Sequence, residues 1–227
     1  MTDKPSRSRL QALYEWLDER LGLTTINKLV LDRKVPKVNW WYTLGSATLF
    51  LFILQGITGI FLTVYYVPTP DHAYDSVNYI MQGVRFGWLV RGIHHWGASF
   101  MVLFVFLHML RVFYMGSYKY PRELTWIIGV MLFLLTLGMG FTGYLLPWNQ
   151  RAYWATTVGT QIAGTPPVIG PWITRILRGG EDISALTLSR FFSMHIWMIP
   201  GLMLLLVTVH LYLVIRLGIS NPPGKDE

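Results

Sequence analysis

The 227-residue chain contains no cysteine. That excludes a disulfide framework, a thiolate metal centre and thioether attachment of a cofactor, so any metal chemistry has to run through histidine. Charge is scarce as well: 14% of the residues are charged, against 52% hydrophobic and 15% aromatic. An ordinary soluble domain carries about 25% charged residues, and this chain is too apolar for that class. Acids are rarest where the chain is most apolar. Four segments, near Tyr42–Tyr66, Leu89–Tyr114, Leu124–Leu146 and Phe191–Arg216, reach the roughly 20 helical residues that cross a bilayer core, and the only acid inside or bordering them is Glu123. The first 40 residues have no apolar core region, so no cleavable signal sequence is expected, and no low-complexity run is present. The expected fold is an all-α membrane protein built on a bundle of four transmembrane helices.

The net charge of +7 has a distribution that argues against nucleic acid as a partner. Lys4, Arg7, Arg9, Arg20, Lys28, Arg33, Lys34 and Lys37 precede the first segment; Lys119 and Arg122 lie between the second and third; Arg216 and Lys225 follow the fourth. If the helices alternate, all of these share one side. That is the positive-inside pattern, with both termini cytoplasmic in a multi-pass protein of the cell's inner membrane. The expected divisions are a cytoplasmic leader over 1–41, a bundle over 42–216 with an outer-face loop over 147–190, and a tail over 217–227. In the leader, Leu10, Leu13, Leu17 and Leu21 form a helical stripe within Arg9–Leu23 with charges opposite, which predicts an amphipathic helix on the membrane surface. The loop 147–190 is rich in Gly and Pro, with a short helix expected over Pro171–Leu177. A loop of that length on a small membrane protein points to function.

The second segment carries "RGIHHWGASFMVLFVFLHML", three histidines in an apolar run. Ionisable side chains in a membrane helix face a protein interior and act there. At about 100° and 1.5 Å per residue, the 14 steps from His94 to His108 leave them about 40° apart around the axis and about 21 Å apart along it. His95 lies about 140° from His108 and points away. The fourth segment repeats the pattern: His195 and His210 are 15 steps apart, about 60° and 22 Å. Running parallel, the two helices would set His94 beside His195 near the outer face and His108 beside His210 near the inner face. One imidazole from each side of two stacked sites suits axial coordination of heme iron, and filling both axial positions favours electron transfer. Zinc would want four ligands or an open position with carboxylates. Proton relays use Asp and Glu alongside His, and simple hydrogen bonding between helices is the plain structural alternative. His72 and His95 have no partner at a useful spacing.

Supporting residues follow the same period. Gly45 and Gly59 are 14 apart on the first segment, and Gly129 and Gly143 are 14 apart on the third. Glycine lets a large flat group approach the backbone, although small residues also mark ordinary helix contacts. Arg91 precedes His94 by three residues, Arg111 follows His108 by three and Arg190 precedes His195 by five. Arginine suits heme propionates, and at helix ends it also serves as a snorkelling anchor.

"GWLVRGIHHWGASFMVLFVFLHMLRVF", "PRELTWIIGV", "GFTGYLLPWNQ", "PPVIG" and "SRFFSMHIWMIP…VHLYLVIRLGIS" together resemble the N-terminal half of cytochrome b, in the split cytochrome b6 form found in bacterial bc and b6f-like quinol:cytochrome c oxidoreductases. The 15-residue spacing on the fourth helix resembles the split type, where mitochondrial-type cytochrome b has 14. The resemblance implies two noncovalent b-type hemes, an outer one on His94 and His195 and an inner one on His108 and His210, with Arg91, Arg111, Arg190 and the four glycines around them. It implies quinol oxidation near the outer face, in a pocket shared by Phe141–Trp148 with Phe141, Tyr144 and Pro147 as lining candidates. One electron goes to a Rieske iron–sulfur protein and a c-type cytochrome. The other crosses through both hemes to quinone at the inner face, with protons released outside and taken up inside. It implies a separate subunit IV-like C-terminal half of cytochrome b and a homodimer embedded in lipid. Where the b6-type pattern has a cysteine that anchors a third heme, this chain has Thr43 after Tyr42, so a third inner-face heme could only be noncovalent. Two other readings stand beside this one: a diheme membrane anchor of a quinone-linked dehydrogenase, and a heme-free assembly or transport subunit.

Overall fold

The computed structural model describes residues 8–30 and 40–220. Of the basic leader and tail, Lys4, Arg7, Arg33, Lys34, Lys37 and Lys225 lie outside the described residues. The described residues are helical with no strand, in two compact units that divide after Val38.

The first unit holds α1 (Arg9–Leu21) and α2 (Leu23–Val30). Ser8 starts α1 with a capping box: its hydroxyl accepts from the Gln11 amide at 3.2 Å, and the Gln11 side chain accepts from the Ser8 amide at 3.1 Å. The amphipathic helix stops two residues short of its expected end, because Gly22 takes a left-handed conformation at φ 63°. Asp18 then bridges the break, accepting from the Thr24 amide and, at 2.7 Å, from its hydroxyl. These two bonds hold the half-buried Asp18 carboxyl below its ordinary range. Leu10, Leu13 and Leu21 stay exposed along the stripe.

In the second unit a 3₁₀ turn (Trp40–Thr43) leads into α3 (Leu44–Thr63), followed by α4 (Ala73–Gln82), α5 (Gly87–Tyr114), α6 (Glu123–Leu145), α7 (Gln150–Ala163), α8 (Gly170–Arg178), α9 (Ala185–Ser193), a π-helical turn (Met194–Met198) and α10 (Ile199–Leu217). Four continuous helices are long and apolar enough to span a membrane: Trp40–Thr63, Gly87–Tyr114, Glu123–Leu145 and Ala185–Leu217. They match the four expected segments, and the last begins earlier because α9 runs into it. In hydrocarbon a helix is the segment that satisfies its own backbone groups. Its hydroxyls are satisfied the same way: Thr48, Thr58, Thr136, Thr142 and Thr208 each donate to the carbonyl four residues back at 2.7–2.8 Å.

The connections hold more helix than the sequence indicated. The segment after α3 folds into α4, and 147–190 contains α7, α8 and most of α9. The helix expected over Pro171–Leu177 is α8, and the helices around it cover most of what reads in sequence as Gly- and Pro-rich loop. α5 packs on α3 and α6, and α6 packs on α10, while the backbones of α5 and α10 stay apart and meet through side chains. The core sits halfway along the bundle: buried Leu51, Met101, Val105 and Met203, with Phe52, Phe104, Leu132, Phe133 and Met139 around them. Leu51, Met101 and Met203 lie midway between the two glycines or two histidines of their helices, and Val105 lies one turn from Met101 toward His108.

Candidate heme-binding site

The gap between α5 and α10 receives the four histidines, one pair on each side of the core. At the end nearer α7–α9, the His94 and His195 rings face each other with centroids 6.3 Å apart and planes 76° apart. Their Nδ1 atoms are taken up by threonine hydroxyls on the flanking helices, Thr58 at 2.9 Å and Thr142 at 3.0 Å. Both threonines are buried. Nε2 is thereby left as the nitrogen of each ring for a metal. At the other end His108 lies within electrostatic reach of His210. His108 Nδ1 is 3.4 Å from an Arg111 guanidinium nitrogen, and His210 Nδ1 is buried without a hydrogen bond.

The 15-residue spacing on the last helix has a structural cause. Met194–Met198 is a π-helical turn, closed by the Ile199 amide donating to Met194 O, five residues back. A π turn absorbs one extra residue. Fifteen residues with one π turn therefore place His195 and His210 as 14 would in a plain helix, about 40° apart, the phase of His94 and His108. Pro200, which offers no amide hydrogen, follows directly and favours the irregularity.

The glycines pair with the histidines one to one. A Cβ on Gly59 would come 3.3 Å from His94 Cε1, on Gly143 2.7 Å from His195 Cε1, on Gly45 3.1 Å from His108 Cε1 and on Gly129 3.5 Å from His210 Cε1. α3 and α6 thus form two walls with a notch at each of the four imidazoles. Among the described residues no three metal-donor side chains gather at one point, so the donor set is two imidazoles per site. Two metal–nitrogen bonds of about 2 Å plus the depth of each ring fill the 6.3 Å between His94 and His195. The residues fit a bis-histidine heme.

Comparison with known proteins agrees. The cytochrome b/b6/petB family model matches residues 30–218. The chain belongs to the cytochrome b/b6 family. It is 46% identical over 222 residues to the menaquinol:cytochrome c reductase cytochrome b subunit of Geobacillus thermodenitrificans, covering 94% of this chain and 99% of that one. It is 45% identical over 214 residues to cytochrome b6 of Synechococcus sp. (strain JA-3-3Ab), covering 94% and 100%. Among solved structures, a chain of a hyperthermophilic respiratory Complex III matches with a TM-score of 0.84 at 38% identity over 92% of this chain, which spans 56% of the length of that one. Family membership implies b-type heme and quinone binding by an integral membrane protein, and sets aside the dehydrogenase anchor and the heme-free subunit.

The arginines of this cytochrome b differ in placement. Arg91 reaches Met81 Sδ at 3.5 Å from the start of α5. Arg111 stacks over the Tyr42 ring at 4.7 Å, and its Nε is buried without a partner. Neither is paired with a carboxylate among the described residues. Arg190 instead donates to the Ile176 carbonyl in the last turn of α8.

The "TGYLLPWN" stretch is the end of α6, a turn and the cap of α7. Asn149 Oδ1 accepts from the Ala152 amide at 3.0 Å, and Trp148 adopts φ 50° between the helices. Phe141 packs edge-on against Phe191 at 6.1 Å and abuts Gly159, Tyr144 is exposed, and Pro147 is half-buried. The Tyr66 hydroxyl donates to Leu146 O at 2.6 Å, and its ring lies 5.3 Å from Phe192. Burial raises the phenol's pKa above its ordinary value, so it remains a donor across the physiological range. Tyr66, Thr58 and Thr142 did not stand out in the sequence. The signal for the threonines is the repeated Thr-Gly step, Thr58-Gly59 and Thr142-Gly143, which the other two notches replace with Leu44-Gly45 and Ile128-Gly129.

Proposed function

We propose that this chain is the diheme cytochrome b subunit of a bc/b6f-type quinol:cytochrome c oxidoreductase, proton-translocating and resident in the inner membrane with both termini cytoplasmic. The observation that carries the reading is the double histidine pairing: two sites between the same two helices, in matched phase, on either side of an apolar core. His94 and His195 would hold the outer heme, and His108 and His210 the inner one. Bound there, hemes supply one-electron carriers at two depths, linking quinol oxidation at the outer face to quinone reduction at the inner face.

The chain's own residues do the holding and the insulating. Thr58 and Thr142 orient two imidazoles, the four glycines leave room for the rings, and Leu51, Met101, Val105 and Met203 keep water out of the space between the sites. Arg91 and Arg111, neither paired with a carboxylate among the described residues, would receive propionates; for Arg190 that role requires exchanging the Ile176 carbonyl for a carboxylate. Phe141, Tyr144 and Pro147 would line one wall of the quinol pocket, completed by a subunit IV-like partner. A Rieske protein, a c-type cytochrome and a second copy of the complex complete the reading. Thr43 donates its hydroxyl to Trp40 O at 2.7 Å and offers no thioether, so any third heme would be noncovalent.

A dithionite-reduced minus oxidised spectrum of the purified complex with a pyridine hemochrome count tests this. Two noncovalent b hemes per chain are expected, with one spectral component removed by His94→Ala and the other by His108→Ala. A heme-free wild-type protein would overturn the reading.

A further inference from the structure

The two histidine pairs differ in what holds the ring nitrogen that faces away from the metal. At His94 and His195 that nitrogen meets a threonine hydroxyl at 2.9 and 3.0 Å. Each hydroxyl spends its single hydrogen on a carbonyl one turn back, Thr58 on Leu54 O at 2.7 Å and Thr142 on Gly138 O at 2.8 Å. A hydroxyl has one hydrogen and two lone pairs. The proton between threonine and imidazole therefore belongs to Nδ1, and the chain reads imidazole N–H to hydroxyl to carbonyl on both sides of the site. At His108 the corresponding neighbour is the Arg111 guanidinium at 3.4 Å, which can only donate. At His210, Nδ1 is buried without a side-chain partner, and the neighbour beside the ring is the Thr125 backbone rather than a hydroxyl.

An acceptor on the outer N–H of a ligating imidazole fixes its tautomer and orientation and raises its basicity. A more basic ligand favours the oxidised, more positive metal, whereas a cation beside a site favours the added electron. We propose that Thr58 and Thr142 are positioning residues that lower the midpoint potential of the His94–His195 site specifically, by making both of its imidazoles stronger donors. This rests on the diheme reading above. Electron flow from that site toward His108–His210 is favoured in consequence.

Redox titration of the purified complex, followed at the heme α-band, tests the assignment in Thr58→Val, Thr142→Val and the double variant, with Thr58→Ser and Thr142→Ser as rescues. The component of the His94–His195 site is the one that His94→Ala removes. In the double valine variant it should shift upward by up to about tenfold in its reduction equilibrium, about 59 mV for one electron. The other component should stay in place, the hemochrome count should stay at two, and both serine variants should match wild type. No shift, or equal shifts of both components at full heme content, would overturn the proposal. If the valine variants lose heme, the smaller Thr58→Ala and Thr142→Ala variants supply the same readout. Heme loss from valine and alanine variants alike, with serine variants at wild-type potential, would make the threonines holding groups only and likewise overturn it. A wild-type chain with no heme would instead remove the diheme reading itself.

Discussion

The four notch glycines are not equally tight, and that ranks their substitutions. A Cβ at position 143 would lie 2.7 Å from His195 Cε1, closer than real Cβ atoms come, while one at position 129 would lie at an ordinary 3.5 Å from His210 Cε1. Gly143→Ala must therefore displace His195, whereas Gly129→Ala need not displace His210. The expected outcome is loss or marked perturbation of the His94–His195 spectral component in Gly143→Ala, with both components retained in Gly129→Ala, read from difference spectra at matched protein. Tyr66 acts at a different point. Its hydroxyl holds the Leu146 carbonyl at the turn after α6, and burial keeps the phenol protonated. Tyr66→Phe removes the donor and leaves that carbonyl unpaired, a cost of about 1–3 kcal/mol. Heme content should stay at wild type while the quinol KM of the complex rises, because the displaced turn carries Pro147 and adjoins Tyr144 at the end of α6. A wild-type KM would show that the turn is fixed by other contacts.

At the scale of elements, the π turn makes a prediction that spacing alone does not. Removing one residue from Met194–Met198 converts it to ordinary helix and leaves His195 and His210 14 residues apart, in the same phase. Deleting exposed Trp197 should preserve two hemes. α5 has no such turn, so deleting exposed Leu103 leaves His94 and His108 13 residues apart, about 140° out of phase, and one heme should be lost. Hemochrome counts on the two deletions check both outcomes. The α1–α2 elbow gives a pH dependence. Asp18 is held below its ordinary carboxyl range by Thr24, so its contribution is present above about pH 4, the unfolded value, and disappears as pH falls through the lower folded value. Protection of the Thr24 amide from hydrogen exchange, relative to its chemical rate, should fall in that window and be low at all pH values in Asp18→Ala. Legibility from sequence follows the same physics. The bundle and both histidine pairs could be read because long apolar helices with fixed phase leave a strong periodic trace. The π turn could not, since one extra residue looks like an imperfect spacing. Nor could α7 and α9, which are tied to α8 by contacts such as Thr174 to Thr160 O, Arg178 to Thr160 Oγ1 and Thr187 to Arg178 O, which only the folded connection supplies.

For the whole molecule, the bundle has an apolar exterior around a small core. Phe50, Ile53, Ile57, Ile60 and Phe61 on α3 and Leu204 and Leu205 on α10 are all exposed, so lipid or partner subunits must cover these flanks. The two ends differ. The end with α4 and α7–α9 is thick with helical connections, while the α5–α6 connection at the opposite end is short and carries Lys119 and Arg122. Arg122 donates to Leu217 O at 3.3 Å, and Ser117 bonds Ser220, which ties the α5–α6 connection to the chain leaving α10. Positive charge retained on the cytoplasmic side would put this second end inside. That assignment decides which histidine pair faces outward, and the absence of cysteine makes it directly measurable. Lys119→Cys and Asp182→Cys place single thiols at exposed positions on opposite ends. A membrane-impermeant maleimide added to intact cells should label Asp182→Cys at once and Lys119→Cys only after permeabilisation. The reverse pattern would turn the bundle over, placing His108 and His210 toward the outside and the Tyr144–Pro147 turn at the inner face, where quinol oxidation could not release its protons outward.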